Sequence, residues 1–551
     1  MGFNRLSDWW HGRHDKVVFR HLGEGTQLIV LLLLMLAGVR TVYAKYGGGT
    51  GTRESPYIIV TPADLALIGY SPDDWDKHFK LIFDVDMRDY NGVGGRYSLE
   101  TIGYLHWQPY ESRPFRGTFD GNGKRIMNLQ ITRTGQDFVG LFGYVRSTGL
   151  CIKNLKIVNP KITAGTGAYV GAVVGKLRGG TIFGCSVEGG SISGGDCTGG
   201  LVGNNMGGMI SKCNVAAAVT GNTDVGGVAG YHASSVISWC SFTGKVVGRN
   251  DVGGLVGESD GNIEYCFADA NVYAVQDKVA GLVGTLRGRV YASFARGRVK
   301  GNNEVGGLIG RNIGQAQDSY SQGIVSGNYY VGGLAGLLYG GGTVSRSYAA
   351  CEVDVNEGPA GMFIGLVDDG TVSASFWTPS STRDEAMLRQ STYTTAGWDF
   401  VGESANGRNN LWEICEGTDY PRLTWEKVPE GDFVCPEGVD IYDIEILSEQ
   451  WLASRPVSVD ITGNGLANFQ DLAAFAGAWK STTGSAKWNA RCDVSPEGGD
   501  GVVNIDDIMV LFDRWLGTGA GLGDIAPSAK PDGIVNLLDF AVAAKNFLNA
   551  D

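Results

Sequence analysis

Val252-Gly-Gly-Leu-Val-Gly257 returns as Val305-Gly-Gly-Leu-Ile-Gly310 and again as Val331-Gly-Gly-Leu-Ala-Gly336. Looser copies extend the series, so that closing glycines stand at Gly143, Gly175, Gly203, Gly230, Gly257, Gly284, Gly310, Gly336 and Gly365. Their steps are 32, 28, 27, 27, 27, 26, 26 and 29 residues. A second landmark keeps the same step: Cys185, Cys213, Cys240, Cys266, Ser293, Ser319, Ser347 and Ser375. Three residues before it lies an apolar residue, from Ile182, Ile210, Ile237 and Ile263 to Val290, Ala316, Val344 and Val372; six after it lies a valine, as at Val219, Val246 and Val272. Two landmarks with one period define a true internal repeat.

Short β-branched runs broken by Gly, Asn and Asp are strand-and-turn material rather than helix. A unit of about 27 residues cannot bury a face alone, so the units must stack. Stacked as parallel strands about 4.8 Å apart, like residues fall above like, and nine coils make a rod of roughly 40–45 Å. An antiparallel sandwich is the rival, but it supplies no reason for a constant period. The expected fold is mostly β, a right-handed parallel β-solenoid (β-helix).

These blocks resemble the GLUG repeat, known from immunoglobulin A peptidases and bacterial adhesins, over about 139–376. The resemblance implies a solenoid and a surface but no reaction, because the peptidase zinc motif is missing. Gly171-Ala-Val-Val-Gly175 and Gly361-Met-Phe-Ile-Gly365 read as departures by one inserted residue, where the repeat begins and ends. Upstream, Leu81-Ile-Phe-Asp-Val-Asp86 and Phe115-Arg-Gly-Thr-Phe-Asp-Gly-Asn-Gly123 resemble segments that precede right-handed β-helices in secreted proteins. Thr61-Pro-Ala-Asp-Leu-Ala-Leu-Ile68 reads as a short helix with Thr61 as N-cap and Pro62 first, placed to cover the open end of the stack.

The 551 residues include 86 glycines and carry a net charge of −13. Nearly all the excess is local: residues 430–551 hold 19 Asp+Glu against 7 Lys+Arg, a net of −12. That argues against nucleic acid as a partner and for cation binding. Residues 28–38 are apolar and follow Arg5, Arg13, Lys16 and Arg20, and Val42-Tyr43-Ala44 offers a cleavage site, so 1–44 reads as a secretory signal. The apolar run is too short for a spanning helix. The mature chain is then exported to an oxidising, calcium-rich setting, secreted or at the cell surface. Only His78, His106 and His232 remain after cleavage, which weighs against zinc and His-based triads.

In the acidic region, Asp460-Ile-Thr-Gly-Asn-Gly-Leu-Ala-Asn-Phe-Gln-Asp471 fills the slots of a twelve-residue calcium loop: Asp460, Thr462, Asn464, the Leu466 carbonyl, Asn468 and Asp471, with Gly465 at the turn. Two more loops share the second half: Asp500, Val502, Asn504 and Asp507, then Asp532, Ile534, Asn536 and Asp539. Asp493 and Asp524 reach those ions only across insertions. A fourth candidate, Asp432 to Asp443, has Gly438 one place late. Each loop opens an apolar stripe of helical spacing, such as Leu472/Phe475/Trp479 and Phe540/Ala543/Phe547. Loop-plus-helix duplication resembles type I dockerins, which bind cohesin domains and attach secreted, usually polysaccharide-degrading proteins to a scaffold. The resemblance implies a small α-helical calcium domain over 431–551 and a cohesin-like or self docking partner.

The expected organisation is therefore signal peptide 1–44, N-terminal cap and first coils 45–138, repeat solenoid 139–376, a cap or linker 377–430, and calcium repeats 431–551. Trp377, Trp398, Trp412 and Trp425 would cap the solenoid or form a sugar platform. Cys185–Cys213 and Cys240–Cys266 lie within disulfide reach on one ladder, but parallel side chains favour a buried small-residue column; Cys415 and Cys435 are a further candidate pair. No catalytic residue stands out, and no paired carboxylates with a Lys or Arg recur at matching coil positions. The leading reading is a non-catalytic binding or adhesion protein whose solenoid meets a glycan or surface ligand. The alternative is a polysaccharide lyase or glycoside hydrolase.

Overall fold

A computed structural model describes residues 45–90, 99–104, 112–378 and 384–426, apart from 404, 408 and 418. The calcium-loop residues, the leader and Cys435 lie outside the described residues.

One coil shows the plan. Val256–Ser259, Asn262–Glu264, Phe267–Ala274 and Val279–Ala280 form successive sides, and each pairs in parallel with its counterpart one coil on: Val283–Leu286, Arg289–Tyr291, Phe294–Lys300 and Asn303–Gly306. Repetition builds four parallel sheets of 12, 13, 9 and 7 strands among the described residues. The apolar columns expected from spacing are continuous ladders. Ile182, Ile210, Ile237, Ile263, Val290, Ala316, Val344 and Val372 are successive register partners. Ile192, Val219, Val246, Val272, Val299, Val325 and Val353 are another such column.

The glycines let neighbouring backbones touch. A Cβ on Gly254 would lie 1.9 Å from the carbonyl oxygen of Gly281, and one on Gly257 would lie 2.4 Å from the amide nitrogen of Val225. The inserted residues expected at the ends of the repeat are not there. Val170 bridges Thr198 and Val174 pairs with Val202, each separated by four positions, so the departures are substitutions, Ala172 and Met362, in a block of unchanged length.

The Cys/Ser column is a hydrogen-bond ladder. The amide of Cys240 donates to Cys266 Sγ (3.4 Å), Cys266 to Ser293 Oγ (3.1 Å), and Ser293, Ser319 and Ser347 each donate to the next serine (3.2 Å). A small side chain with an accepting atom is needed there, which is why Cys and Ser interchange. Cys185, Cys213, Cys240 and Cys266 are buried and free, so the within-ladder disulfides do not form.

At the N-terminal end the stack starts upstream of the regular repeat, with Tyr57–Ile59 pairing to His78–Leu81 and then Thr118–Asp120. The helix Pro62–Gly69 has the expected cap: Thr61 Oγ1 accepts from the amide of Asp64, whose carboxylate accepts from the amide of Thr61. Leu65 and Ile68 insert into the core of these first coils.

Residues 384–426 form a strap along the flank. The first residues of successive strands, Phe267, Phe294, Tyr320 and Tyr348, stack ring on ring at 4.8–5.0 Å with planes 6° apart. The strap covers this row in reverse order: Tyr393 meets Phe376, Trp412 meets Tyr348 and Tyr320, and Trp425 meets Phe294 and Phe267. Trp398 and Trp412 are wholly buried and so are core, not a sugar platform.

Candidate functional site

Between the shortest sheet and the next coil side runs a seam of polar and aromatic side chains. The residue before the Val-Gly-Gly block, or its variants Thr198-Gly-Gly and Val279-Ala-Gly, sits in the left-handed region, as Cys197, Asp224, Asp251, Lys278 and Glu304 do at φ of 50–62°. Asp tolerates this conformation because its short side chain bonds locally; Lys and Glu do so less readily. Facing this column is another of register partners, Asn204, Tyr231, Glu258, Thr285 and Arg311. The two columns interlock: Thr285 Oγ1 donates to Asp251 Oδ1 (2.5 Å), Lys278 Nζ lies 3.2 Å from Asp251, and Arg311 pairs with Glu304.

Midway along the seam Asp224, Asp251 and Glu258 bring carboxylate oxygens within 4.8 Å of one another. Asp251 is balanced by Lys278, and Glu258 by Arg287, which also reaches Asp260. Asp224 accepts from the Cys197 thiol at 3.5 Å, and Lys278 offsets its charge only from further off. Burial, then repulsion from Asp251, pushes its carboxyl up to about 6. Three hard oxygen donors at this spacing suit a divalent cation such as calcium, which would hold Asp224 ionised. Without a cation, the same group is a carboxyl that titrates near neutrality.

This trio is not evident from the sequence, and the expectation that no paired carboxylates with a Lys or Arg recur at matching coil positions does not hold. Asp224 and Asp251 are 27 residues apart in successive coils, and Lys278 follows in the third. The signal was Asp-Val-Gly-Gly, present at 224–227 and 251–254. All of the calcium ligands expected from sequence, from Asp460 through Asp539, lie outside the described residues.

His232 is a satisfied core residue. Its Nδ1 lies 3.0 Å from Asn205 Nδ2 and its Nε2 lies 3.2 Å from the Ser235 carbonyl, and burial pushes it down to about 4. It stays neutral at physiological pH and offers no acid–base service. Among the described residues no helix is long and apolar enough to cross a membrane.

Comparison with known proteins places this geometry. Residues 248–273 match the family described as the GLUG motif. A protein of Evansella cellulosilytica named "Putative Gly-rich membrane protein" is 36% identical over 177 residues, covering 31% of this chain and 19% of the relative. Halomucin of Haloquadratum walsbyi is 32% identical over 175 residues, covering 31% of this chain and 2% of the relative. The matched region thus spans less than a fifth of either curated relative. A crystal structure described as a "putative immunoglobulin A1 protease from Bacteroides ovatus" is 19% identical at a TM-score of 0.37, over 69% of this chain and 96% of that one. The coil at 248–273 is thus similar to the GLUG motif, and the solenoid repeats on the step of that coil.

Proposed function

We propose that the protein is an exported, non-catalytic binding protein, in which a rigid β-solenoid displays a recognition surface and an acidic calcium-binding region attaches it to a partner. The observation that carries this reading is the contrast between columns. Inward positions repeat in kind, as Ile210, Ile237, Ile263 and Val290, whereas the seam column changes at each coil, from Asn204 to Tyr231, Glu258, Thr285 and Arg311. Asn204 and Thr285 are buried in the seam while Tyr231, Glu258 and Arg311 are half-buried, and a constant core under such varied outer side chains is the arrangement by which repeat proteins recognise extended ligands. The names of the two relatives, a Gly-rich membrane protein and a halomucin, support a cell-surface setting. The apolar run at 28–38 and the cleavage pattern at Val42-Tyr43-Ala44, read as a secretory signal, support export.

Calcium is assigned to the loops that begin at Asp460 and end at Asp539, with a cohesin-like domain or a second copy as the docking partner. The carboxyl of Asp224, titrating near 6, favours one second reading: action on a polysaccharide by a carboxylate acid–base pair. Incubating the secreted chain with pectin, alginate and plant glycans separates the two. Binding without new reducing ends or unsaturated products supports the first. Turnover that Asp224→Asn abolishes establishes the second. Titrating the full chain with calcium, followed by circular dichroism, tests the metal assignment; no spectral change, and none on chelation, refutes it.

A further inference from the structure

The two ends of the solenoid differ. At the start, Leu65 and Ile68 of the helix Pro62–Gly69 close the core. At the finish the core columns emerge uncovered among the described residues. Val344 is 0% exposed but its partner one coil on, Val372, is 40% exposed; Leu338 is 0% exposed and its partner Val367 is 48%. Met362 and Trp377 add to the same end. The last strands, Ile364–Asp368, Thr371–Ser373 and Phe376–Thr378, each have a neighbour on one side only. Open parallel edges with an apolar centre are a template for further pairing, which stable proteins cover.

The covalent structure indicates what lies within reach. Cys415 is disulfide-bonded, and the seven other described cysteines are free, so of the ten in the chain only Cys435 and Cys492 remain as its partner. Cys415 belongs to the part of the strap held at the last coil. The amide of Gly417 donates to the Leu388 carbonyl, the amide of Gln390 donates to Glu416, and Tyr393 packs on Phe376 of the final strand. The strap runs on to Glu426, beside Tyr320, two coils or about 10 Å back from that end, and Arg296, one coil further back. A disulfide from Cys415 to either Cys435 or Cys492 ties the chain that follows Glu426 to the strap beside the last coil. That chain is 125 residues long and carries the apolar helical stripes read from its sequence.

We propose that the C-terminal region, residues 437–551, docks one of its amphipathic helices on the open end of the solenoid, over Val372, Val367 and Met362. It thereby closes the core at the far end as Pro62–Gly69 does at the near end. The inference rests on the expected helices and not on an external docking partner. Charge opposes the contact: Asp368 and Asp369 rim the end, and residues 430–551 carry a net of −12. The apolar contact must outweigh that repulsion, so added salt or calcium strengthens the docking.

Hydrogen exchange on the full chain tests this, with and without calcium, against a variant ending at Pro436. In at least one condition the amides of Ile364–Asp368 and Thr371–Ser373 should exchange ten-fold or more slowly in the full chain. Equal rates in every condition overturn the proposal, even where calcium alters the tail's circular dichroism and so upholds the calcium assignment. Protection that appears only as concentration rises, with a dimer in sedimentation, overturns it in favour of a second copy. In the full chain, Val372→Asp should leave the solenoid's circular dichroism intact and speed proteolysis within 437–551 ten-fold or more. An unchanged rate counts against the proposal.

Discussion

The ring of Tyr348 lies 4.8 Å from that of Tyr320 with the planes 6° apart, and Trp412 of the strap packs against both at 6.2 Å. Their faces are occupied by one another, so the strap gains its contact from the exposed edges of a preformed aromatic row. Trp412→Ala should cost about 3–5 kcal/mol, the usual loss for a buried large aromatic, read as a fall in urea midpoint. Tryptic cleavage within 384–426 should accelerate in the same variant. A strap as resistant as wild type would show that the row does not hold it.

Gly254→Ala places a methyl 1.9 Å from a backbone oxygen that cannot move without shifting a coil. The expected loss is about 1–3 kcal/mol or more in thermal or urea unfolding. Gly149→Ala is the control, because a Cβ there meets nothing within 4 Å. Equal effects at the two positions would contradict the close stacking.

Cys240→Ser should be tolerated within about 1 kcal/mol, since serine already occupies that column at Ser293, Ser319 and Ser347 and accepts the same amide. Cys213→Val fits by size but leaves the amide of Cys185 without the Sγ it reaches at 3.5 Å, at a cost of about 1–3 kcal/mol. Burial also pushes the thiols of Cys213 and Cys240 well up, so neither should react with an aromatic disulfide reagent until the chain unfolds.

Acid should weaken the fold through His232. Its folded value of about 4 lies below the usual 6.5, so the unfolded chain takes up the proton first. The contribution is complete above pH 6.5 and drains away as pH falls towards 4, by about 3 kcal/mol at most. Urea midpoints between pH 7.5 and 4.5 should show this slope in the wild type and a shallower one in His232→Gln. Parallel slopes would place the acid sensitivity elsewhere.

Asp224 acts with the opposite sign. Its folded value, about 6, lies above the usual 3.8, so ionisation at neutral pH works against folding and protonation below pH 6 relieves it. In chelator, Asp224→Asn should be more stable than wild type at pH 8 by about 1–2 kcal/mol, with the advantage gone near pH 4. A variant less stable at pH 8 would mean that the thiol contact from Cys197 outweighs the repulsion.

The solenoid was legible because its period is carried by residues with no alternative use. A glycine that must admit a backbone oxygen, as Gly254 does, and an inward Ile or Val cannot drift without breaking the stack. Thr61 and Asp64 were legible for the same reason, since a capping box is local chemistry. The strap was half legible: its tryptophans were visible, but that they meet a row of rings set 26 to 28 residues apart, from Phe267 to Tyr348, is a relation between distant segments. The carboxylate trio was overlooked because Glu258 belongs to a different column from Asp224 and Asp251, and only folding brings the columns face to face.

By itself the amino-acid order determined the repeat length, the inward columns and the capped helix, because each depends on spacing within one coil or on one fixed step between coils. Tertiary structure alone decided that the cysteines serve as hydrogen-bond acceptors, that Trp398 and Trp412 are core, and that Asp224 sits beside two other carboxylates. Those outcomes depend on which outward side chains meet across coils and on how much water is removed from them. A one-dimensional pattern records neither.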